Sequence, residues 1–289
     1  MVAPTANVAS SPARIRLRRS YLDLRLRLRR PTSAFMGLPG FLIIGTQRGG
    51  TTSLYQYLSR HPDVRQPLNK EIHYFSNHYA KGLGWYRSHF PLVAGQVNRG
   101  KVTFEATPYY MLHPHSARRA KEVLPDARVV AILRDPVERA FSHYRHTRLR
   151  GLEPLGFGDA VRAEDERLAE VTRRLQVDEH LVSREHQVFS YLARGRYAEQ
   201  LPRWFERFGP ERVMVVRSED LYEDAPATLR QVAGFLGLRE TDLGEFPRYT
   251  ERHRDPESMP SDVRARLSEY FRPHNERLYG LLGRDMQWQ

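Results

Sequence analysis

The segment from Gly45 to Ser53 combines residue types that bind anions. It reads Gly-Thr-Gln-Arg-Gly-Gly-Thr-Thr-Ser, with one arginine, two adjacent glycines and three consecutive hydroxyl side chains. Glycines let backbone N–H groups approach a ligand closely, and the first turn of a following helix adds unpaired N–H groups and partial positive charge. The sequence therefore predicts a phosphate-binding turn. Its candidate ligand-binding residues are Arg48, Gly49, Gly50, Thr51, Thr52 and Ser53.

This turn differs from the phosphate loop of nucleotide hydrolases. In that loop, Gly-Lys-Ser/Thr follows the first glycine after four intervening residues. Gly45 and Gly50 have this separation, but Thr51 stands at the lysine position. No acidic residue ends the strand predicted at residues 128–133 to hold magnesium, since Asp135 comes later. Magnesium-dependent phosphoryl transfer is therefore disfavoured, and no metal is expected to be required.

A second anion-binding element follows another predicted strand. Arg134 leaves the carboxyl end of this strand, where open α/β sheets bind ligands. Ser142 lies about two turns into the helix that Pro136 opens at its favoured first position. Arg134 and Ser142 together are candidates for a second phosphate. From the residues alone, Arg134 could instead pair with Asp135 or Glu138.

The pattern of apolar residues predicts the elements that position these side chains. Apolar runs predict strands near residues 41–45, 101–105, 128–134 and 212–217. Helical spacings follow each of them, including 53–58, 225–236 and 261–282. Between residues 151 and 185, mixed charges predict a mobile insertion or an amphipathic helix. Strands that alternate with helices predict an α/β fold, with a parallel sheet of four or five strands covered on both faces.

The N-terminal residues are strongly basic and differ from the rest of the chain. The protein has 289 residues and a formal charge of +12, and residues 14–30 contain eight arginines against Asp23 alone. Leucine at every second position from Leu22 to Leu28 favours a strand with one apolar face. We expect residues 1–39 to be a flexible basic extension and residues 40–289 to be one folded domain. The extension could also be a transit peptide or a tether to an anionic membrane.

Other features of the composition exclude several classes of protein. The chain has no cysteine, which excludes disulfides, thiolate metal sites and cysteine nucleophiles. No stretch approaches the ~18 apolar residues of a membrane-spanning helix. Most of the excess charge lies in the extension, so nucleic acid is not an expected partner of the folded domain. A cytoplasmic location is expected, with organelle targeting by the arginine-rich extension left open.

Further motifs follow the two anion-binding elements, and together they cover nearly the whole folded domain. They are Gly195-Arg-Tyr-Ala-Glu-Gln-Leu, Val216-Arg-Ser-Glu-Asp-Leu and the run from Tyr270 to Trp288. With the phosphate-binding turn and Arg134-Asp-Pro, they resemble the cytosolic and Golgi sulfotransferases, in particular the heparan-sulfate-type branch and its bacterial relatives. This resemblance implies a P-loop-like three-layer sandwich and 3′-phosphoadenylyl sulfate (PAPS) as sulfuryl donor. The product would be adenosine 3′,5′-bisphosphate (PAP).

The resemblance also implies roles for individual residues. The turn Arg48–Ser53 would bind the 5′-phosphosulfate of the donor, and Arg134 with Ser142 would bind its 3′-phosphate. Tyr197 and Arg254 would be further donor contacts. Arg48 stands where the family usually has lysine, so its role would be electrostatic stabilisation of the departing phosphate.

The segment Lys70-Glu71-Ile-His73-Tyr-Phe resembles the stretch in which the heparan-type enzymes carry a glutamate base. An acceptor hydroxyl must lose its proton as it attacks sulfur, and a carboxylate within hydrogen-bond reach can accept that proton. Glu71 is therefore the candidate general base, with Lys70 and His73 as supporting residues. The alternative is an exposed ion pair between Lys70 and Glu71.

The acceptor and two competing functions stay open at this level. The acceptor would carry a hydroxyl or an amine, on a carbohydrate, a lipid or a small metabolite. Ala106 stands where the glycosaminoglycan enzymes commonly have lysine, and His113 or His115 is an alternative base. A P-loop-type kinase and a basic protein that binds nucleic acid or a membrane surface are the competing functions.

Overall fold

The computed structural model describes residues 12–93, 100–247, 249 and 258–288. Within these ranges the strands are β1 (Phe41–Gly45), β2 (Val64–Arg65), β3 (Val102–Ala106), β4 (Arg128–Leu133) and β5 (Val213–Arg217). The helices are α1 (Pro12–Arg29), α2 (Thr51–Ser59), α3 (Tyr74–Asn77), α4 (Leu83–Arg87), α5 (Ser116–Val123), α6 (Pro136–Leu149), α7 (Phe157–Arg162), α8 (Glu164–Val177), α9 (Arg184–Val188), α10 (Tyr197–Phe208), α11 (Ser218–Glu223), α12 (Ala225–Leu236) and α13 (Ser261–Leu282).

The five strands form one parallel sheet in the order β2-β3-β1-β4-β5. Strands β1 and β4 are therefore neighbours, although more than eighty residues separate them in the chain. Their carboxyl ends lie side by side at one edge of the sheet, and the two predicted anion-binding elements follow them directly. This topology brings the phosphate-binding turn and Arg134 together.

Both faces of the sheet are buried, as the continuous apolar runs predict. On one face, Leu42 and Val129 pack with Trp204 of α10 and residues of α5 and α13. On the other face, Ile43 and Val130 pack with residues of α2 and α12. The α/β class and the three-layer arrangement are confirmed.

The N-terminal segment is not the strand that its leucine alternation favours. It forms the helix α1, because leucine and arginine are both strong helix formers. Leu26 is buried, and Leu22 and Arg29 are partly buried, at positions four and three residues away. Arg29 donates a hydrogen bond to the carbonyl oxygen of Phe90 and thereby ties the end of α1 to the domain.

The segment of mixed charge between residues 151 and 185 is largely helical, in agreement with the second of the two alternatives predicted for it. Helix α7 lies in its first part, and the 14-residue helix α8 in its middle buries Leu168 and Leu175, which lie two turns apart on one face. Its exposed face carries the alternating charges that obscured the pattern. The segment is therefore an amphipathic helix rather than a mobile insertion.

Candidate active site

The phosphate-binding turn lies between β1 and α2 and requires glycine at two positions. A Cβ atom at Gly49 would lie 2.9 Å from the carbonyl oxygen of Ile132 and 2.7 Å from Cγ2 of Thr46. Gly50 has φ +101° and precedes the helix in a left-handed conformation that glycine adopts at little cost. The first hydrogen bond of α2 runs from the N–H of Leu54 to the carbonyl oxygen of Gly50, at 3.0 Å. The N–H groups of residues 51–53 therefore have no acceptor inside the helix and face the turn.

Arg48, Ser142 and Arg134 form one cluster beside this turn. The Nε atom of Arg48 donates to Oγ of Ser142 at 3.0 Å, and Nη1 of Arg134 lies 3.4 Å from the carbonyl oxygen of Arg48. Burial, followed by the charge of Arg134, lowers the pKa of Arg48. Two guanidinium groups thus lie close together in a partly buried position. An anion between them would relieve their repulsion.

Tyr197 and Asp135 fix the backbone from which Arg134 extends. The buried hydroxyl of Tyr197 donates to the carbonyl oxygen of Arg134 at 2.8 Å. The carboxylate of Asp135 caps α6 by accepting from the N–H groups of Val137 and Glu138, at 2.8 and 3.1 Å. Tyr197, a candidate donor contact by sequence, thus contacts the backbone of the Arg134 strand end. Its place in the structure favours a positioning role.

Lys70, Glu71 and His73 form a second cluster, which reaches the turn through Thr52. The Nζ atom of Lys70 lies 2.9 Å from Oε1 of Glu71 and 3.4 Å from Oγ1 of Thr52. The Nε2 atom of His73 lies 3.8 Å from the other carboxylate oxygen of Glu71. The predicted base is therefore one lysine side chain away from the phosphate-binding turn.

The carboxylate of Glu71 is held in its ionised form. Burial acts to raise its pKa, but the contacts with His73 and the charge and hydrogen bond of Lys70 outweigh burial and lower the pKa to about 2. The side chain nevertheless keeps 46% of its surface open to a cleft. The carboxylate is therefore ionised and accessible, which accepting a proton requires, while its low pKa makes it a weak base.

The backbone at Glu71 and His73 is strained and is pinned to the end of β3. Both residues have positive φ, 62° and 57°, which is uncommon for residues with a side chain. The N–H of Glu71 donates to the carbonyl oxygen of Ala106 at 3.1 Å, and the N–H of His73 lies 3.4 Å from Oγ1 of Thr107. Thr107 in turn donates to the buried carboxylate of Glu105 at 2.8 Å. Strain that the surroundings enforce is typical of functional positions.

Glu71 faces a cleft of about 440 Å³ that is rich in arginine. Arg19, Arg150, Arg184 and Arg194 line it, and Glu71 is the acidic residue among the lining side chains. Arg194 is buried, and its guanidinium lies 5.1 Å from the ring centre of Tyr109. No carboxylate partner of Arg19, Arg150 or Arg184 is found among the described residues. The arginine-rich cleft is thus a cationic site next to the candidate base.

Sequence reasoning missed these cleft residues because no local pattern marks them. Arg150 follows α6, Arg184 opens α9, and Arg194 lies in a turn before α10. Only tertiary folding brings them together, in a chain in which arginine is common everywhere. Thr107 carried a weak signal, since it lies two residues after Glu105 at the end of a predicted strand.

The remaining sequence candidates lie elsewhere. Arg254 lies outside the described residues. His113 is buried, and burial followed by the charge of Arg119 lowers its pKa to about 2. The Nε2 atom of His115 is 2.7 Å from the carbonyl oxygen of Leu175. Neither histidine lines the cleft, so the structure gives no support to their role as alternative bases.

Comparison with known proteins places the chain in a family. The family model described as "Sulfotransferase domain" matches residues 38–256. The chain belongs to the sulfotransferase family. The heparan sulfate glucosamine 3-O-sulfotransferase 6 of Homo sapiens is 30% identical over 86% of this chain and 73% of its own length. A crystal structure of a sulfotransferase from Alicyclobacillus acidocaldarius is 29% identical, with a TM-score of 0.68 over 86% of this chain and 97% of that chain.

Membership of the family decides between the competing functions. Sulfuryl transfer is the chemistry of this sulfotransferase, and it is favoured over a P-loop-type kinase and over a basic protein that only binds nucleic acid or a membrane surface. Among the described residues, no group of three or more histidine, aspartate or glutamate side chains could hold a metal ion.

The expectation of a cytoplasmic location is wrong. The membrane-associated sulfotransferase kil1 of Dictyostelium discoideum is 31% identical over 87% of this chain and 67% of its own length. A protein without a long apolar stretch can associate with a membrane without crossing it. In the part of the chain that the structure describes, no helix has the length and apolar character needed to span a bilayer.

Proposed function

We propose that this sulfotransferase moves a sulfuryl group from PAPS to a hydroxyl group of a negatively charged acceptor, with Glu71 as general base. An amine acceptor is the alternative. The observation that carries the proposal is the chain of contacts from Thr52 through Lys70 to Glu71. It links a carboxylate with a pKa of about 2 to a turn built for a phosphate-containing ligand.

The residues of the turn fit the phosphosulfate end of the donor. The close approach at Gly49 and the free N–H groups of α2 offer backbone donors without side-chain obstruction. Lys70, in contact with Thr52, supplies positive charge between this turn and the base. These groups would neutralise the 5′-phosphate as it leaves.

The cluster of Arg48, Arg134 and Ser142 fits the second phosphate of the same nucleotide. By resemblance Arg48 would serve the departing phosphate, but its Nε atom contacts Ser142, the candidate ligand of the 3′-phosphate. We therefore assign Arg48 to the 3′-phosphate together with Arg134. Two arginines can bind a dianionic phosphate through several charge-assisted hydrogen bonds.

The donor, the acceptor and Glu71 together account for every bond and proton in the proposed transfer. The acceptor oxygen forms a bond to sulfur while the bond between sulfur and the 5′-phosphate oxygen breaks. The acceptor proton passes to the carboxylate of Glu71, and the leaving phosphate keeps the electron pair of the broken bond. As in phosphoryl transfer, positioning and charge stabilisation supply most of the acceleration.

The arginines of the cleft indicate the class of acceptor. Arg19, Arg150 and Arg184 lack carboxylate partners among the described residues, whereas Arg118, for example, pairs with Glu122 at 2.7 Å. An acceptor that carries carboxylate, sulfate or phosphate groups would compensate the cleft arginines. The name of one relative, a heparan sulfate 3-O-sulfotransferase, agrees with an anionic carbohydrate.

The base assignment is tested with Glu71→Gln. This variant is expected to lose turnover by at least about 100-fold, the scale of general-base catalysis, while PAP binds with unchanged affinity without magnesium in calorimetry. Glu206→Gln, an exposed site on α10, is the matched control. Full activity of Glu71→Gln would remove Glu71 as base. Preferential binding of magnesium–ATP over PAP would end the donor assignment.

The acceptor class is tested separately. A set of sugars that differ only in a carboxylate or sulfate group is assayed with labelled PAPS. Arg150→Ala/Arg184→Ala is expected to raise KM for the charged acceptors about tenfold, as the loss of a charge-assisted hydrogen bond predicts, with PAP affinity unchanged. Equal turnover of neutral and charged sugars would contradict an anionic acceptor.

A further inference from the structure

Helix α1 carries an exposed apolar stripe, and among the described residues the contact that the stripe makes is that of Tyr21 with Arg25 of the same helix, at 5.6 Å. Leu17, Tyr21, Leu24 and Leu28 are each between 54% and 73% exposed. Their spacing of four, three and four residues places them on one side of the helix. Since each residue advances about 100° around a helix, the four side chains fall within an arc of about 60°. They form a continuous apolar line about three turns long.

The opposite side of α1 is the one attached to the domain. Leu26 is buried there, and Arg29 donates hydrogen bonds to the sulfur of Met36 and the carbonyl oxygen of Phe90. Arg19, which lines the arginine-rich cleft, projects on this same side. The apolar stripe therefore points away from the domain.

Exposed arginines flank the stripe on both sides. Arg18 and Arg25 lie about 70–90° from its centre in one direction, and Arg16 and Arg27 lie about 90–110° away in the other. All four are exposed, and Asp23 is the acidic residue of the helix. A narrow apolar face between two rows of arginine suits an interface of hydrocarbon and anionic headgroups. Long arginine side chains can reach the headgroups while the leucines enter the acyl region.

We propose that α1 docks this sulfotransferase on the surface of an anionic lipid membrane, with the Leu17–Leu28 stripe inserted below the headgroups. Charge complementarity selects this occupant. A second copy of the same helix would bring two arginine-rich surfaces together, and those surfaces would repel. An anionic bilayer attracts the arginines and accepts the leucines at the same time. The inference does not depend on the identity of the donor or of the catalytic base.

Docking through α1 would place the arginine-rich cleft next to the membrane. Arg19 reaches the cleft from the helix that lies on the bilayer. The catalytic domain would then work close to acceptors at the membrane surface. Because α1 lies parallel to the surface, no segment needs to cross the bilayer.

The experiment measures co-sedimentation of the full chain with vesicles of phosphatidylcholine, with and without phosphatidylglycerol. We expect binding to the anionic vesicles only. The variant Leu17→Gln/Leu24→Gln/Leu28→Gln keeps helix-forming residues and all arginines, and its partition coefficient is expected to fall more than about tenfold. The matched control Val177→Gln/Val182→Gln/Leu281→Gln changes three exposed apolar side chains elsewhere and is expected to bind like the wild type.

Three results would overturn the proposal. The wild type could fail to bind anionic vesicles, or the triple leucine variant could bind as well as the wild type, which would indicate charge attraction alone. Sedimentation velocity could also show a dimer that the leucine variant dissociates, which would assign the stripe to a second copy. Calorimetry with PAP is run on the same samples, so that failure of donor binding is distinguished from failure of membrane docking.

Discussion

Removal of Lys70 and His73, the two neighbours that lower the pKa of Glu71, is expected to shift the pH dependence of sulfuryl transfer. In the wild type, His73 and Lys70 overcome the effect of burial and lower the pKa of Glu71 from 4.5 to about 2. In Lys70→Met/His73→Leu only burial remains, and burial raises the pKa of a carboxyl group. The base would then become protonated at a pH where the wild-type carboxylate is still ionised.

The contact with His73 is the largest cause that lowers the pKa of Glu71, and the hydrogen bond with Lys70 gives the size of the Lys70 contribution. The length of this hydrogen bond is 2.9 Å, and a charge-assisted hydrogen bond is worth about 1.5–3 kcal/mol. At about 1.4 kcal/mol per unit, this corresponds to about one to two pKa units. Because 46% of the Glu71 side chain is open to solvent, the lower end applies. We expect about one unit from Lys70→Met, and an acidic limb at or above about pH 4.5 in the double variant.

The assay is kcat/KM for the acceptor between about pH 4 and pH 8, normalised to its maximum, since this quantity reports the pKa values of the free enzyme. The wild type is expected to stay flat to the acidic end. The double variant is expected to lose activity below about pH 5. Glu71→Gln has no carboxylate to titrate, so its residual rate should show no acidic limb. Circular dichroism and PAP binding at the lowest pH verify that each variant is folded.

Superimposable normalised profiles of the wild type and the double variant would refute this reasoning. They would show either that Glu71 is not the base or that its neighbours do not set its protonation. If those superimposable profiles come with a uniform loss of absolute rate at every pH, Lys70 serves the leaving phosphate and not the protonation of Glu71.

Two further changes probe the donor site, and a third probes the core. Arg134→Ala is expected to weaken PAP binding about 10- to 150-fold, from a loss of about 1.5–3 kcal/mol, and to leave binding of adenosine 5′-phosphate nearly unchanged; equal losses would place the 3′-phosphate elsewhere. Gly49→Ala puts a Cβ atom 2.9 Å from a backbone oxygen and should lower PAP affinity at least tenfold in calorimetry, whereas Gly280→Ala, with open space around its Cβ, should not. For Glu164, burial raises the pKa to about 7, so the native state binds a proton that the unfolded state releases near 4.5. The free energy of unfolding of the protein, measured with urea, should therefore fall as the pH rises from about 4.5 to about 7. In Glu164→Gln this pH dependence of the free energy should be weaker.

The fold was predictable wherever a strand is a continuous apolar run. The runs at residues 41–45 and 129–133 are buried on both faces, so their apolar composition alone identifies them. Strand β2 was missed because it has two residues, Val64 and Arg65, and exists only through pairing with β3. The leucine alternation in α1 led to a wrong prediction of a strand for a related reason. A period of two predicts a strand only if a neighbouring strand is available, and otherwise helix propensity decides.

The site was predictable in its composition but not in its arrangement. The sequence identifies Arg48 and Arg134 as charged residues that follow predicted strands, and it identifies Glu71 through the resemblance of its segment. The strand order that brings Arg48 and Arg134 together is known only from the structure. The sequence does not predict that Arg48 turns toward Ser142, because that contact depends on a positive φ at a residue other than glycine. The roles of cleft arginines such as Arg150 depend on contacts between distant segments, which no local pattern encodes.

Two features of the site raise the free energy of the folded protein when no ligand is bound. The charge of Arg134 lowers the pKa of Arg48, and the pairing of Arg134 with Glu138, at 3.7 Å, offsets their repulsion only in part. Glu71 and His73 hold a strained backbone. Neither feature stabilises the fold, so both persist because the surrounding sheet and the Thr107 contact enforce them. A dianionic nucleotide would compensate the arginines, and an acceptor hydroxyl would use the oriented carboxylate. The site is therefore organised before its ligands arrive, which is the condition under which electrostatic stabilisation lowers a reaction barrier most.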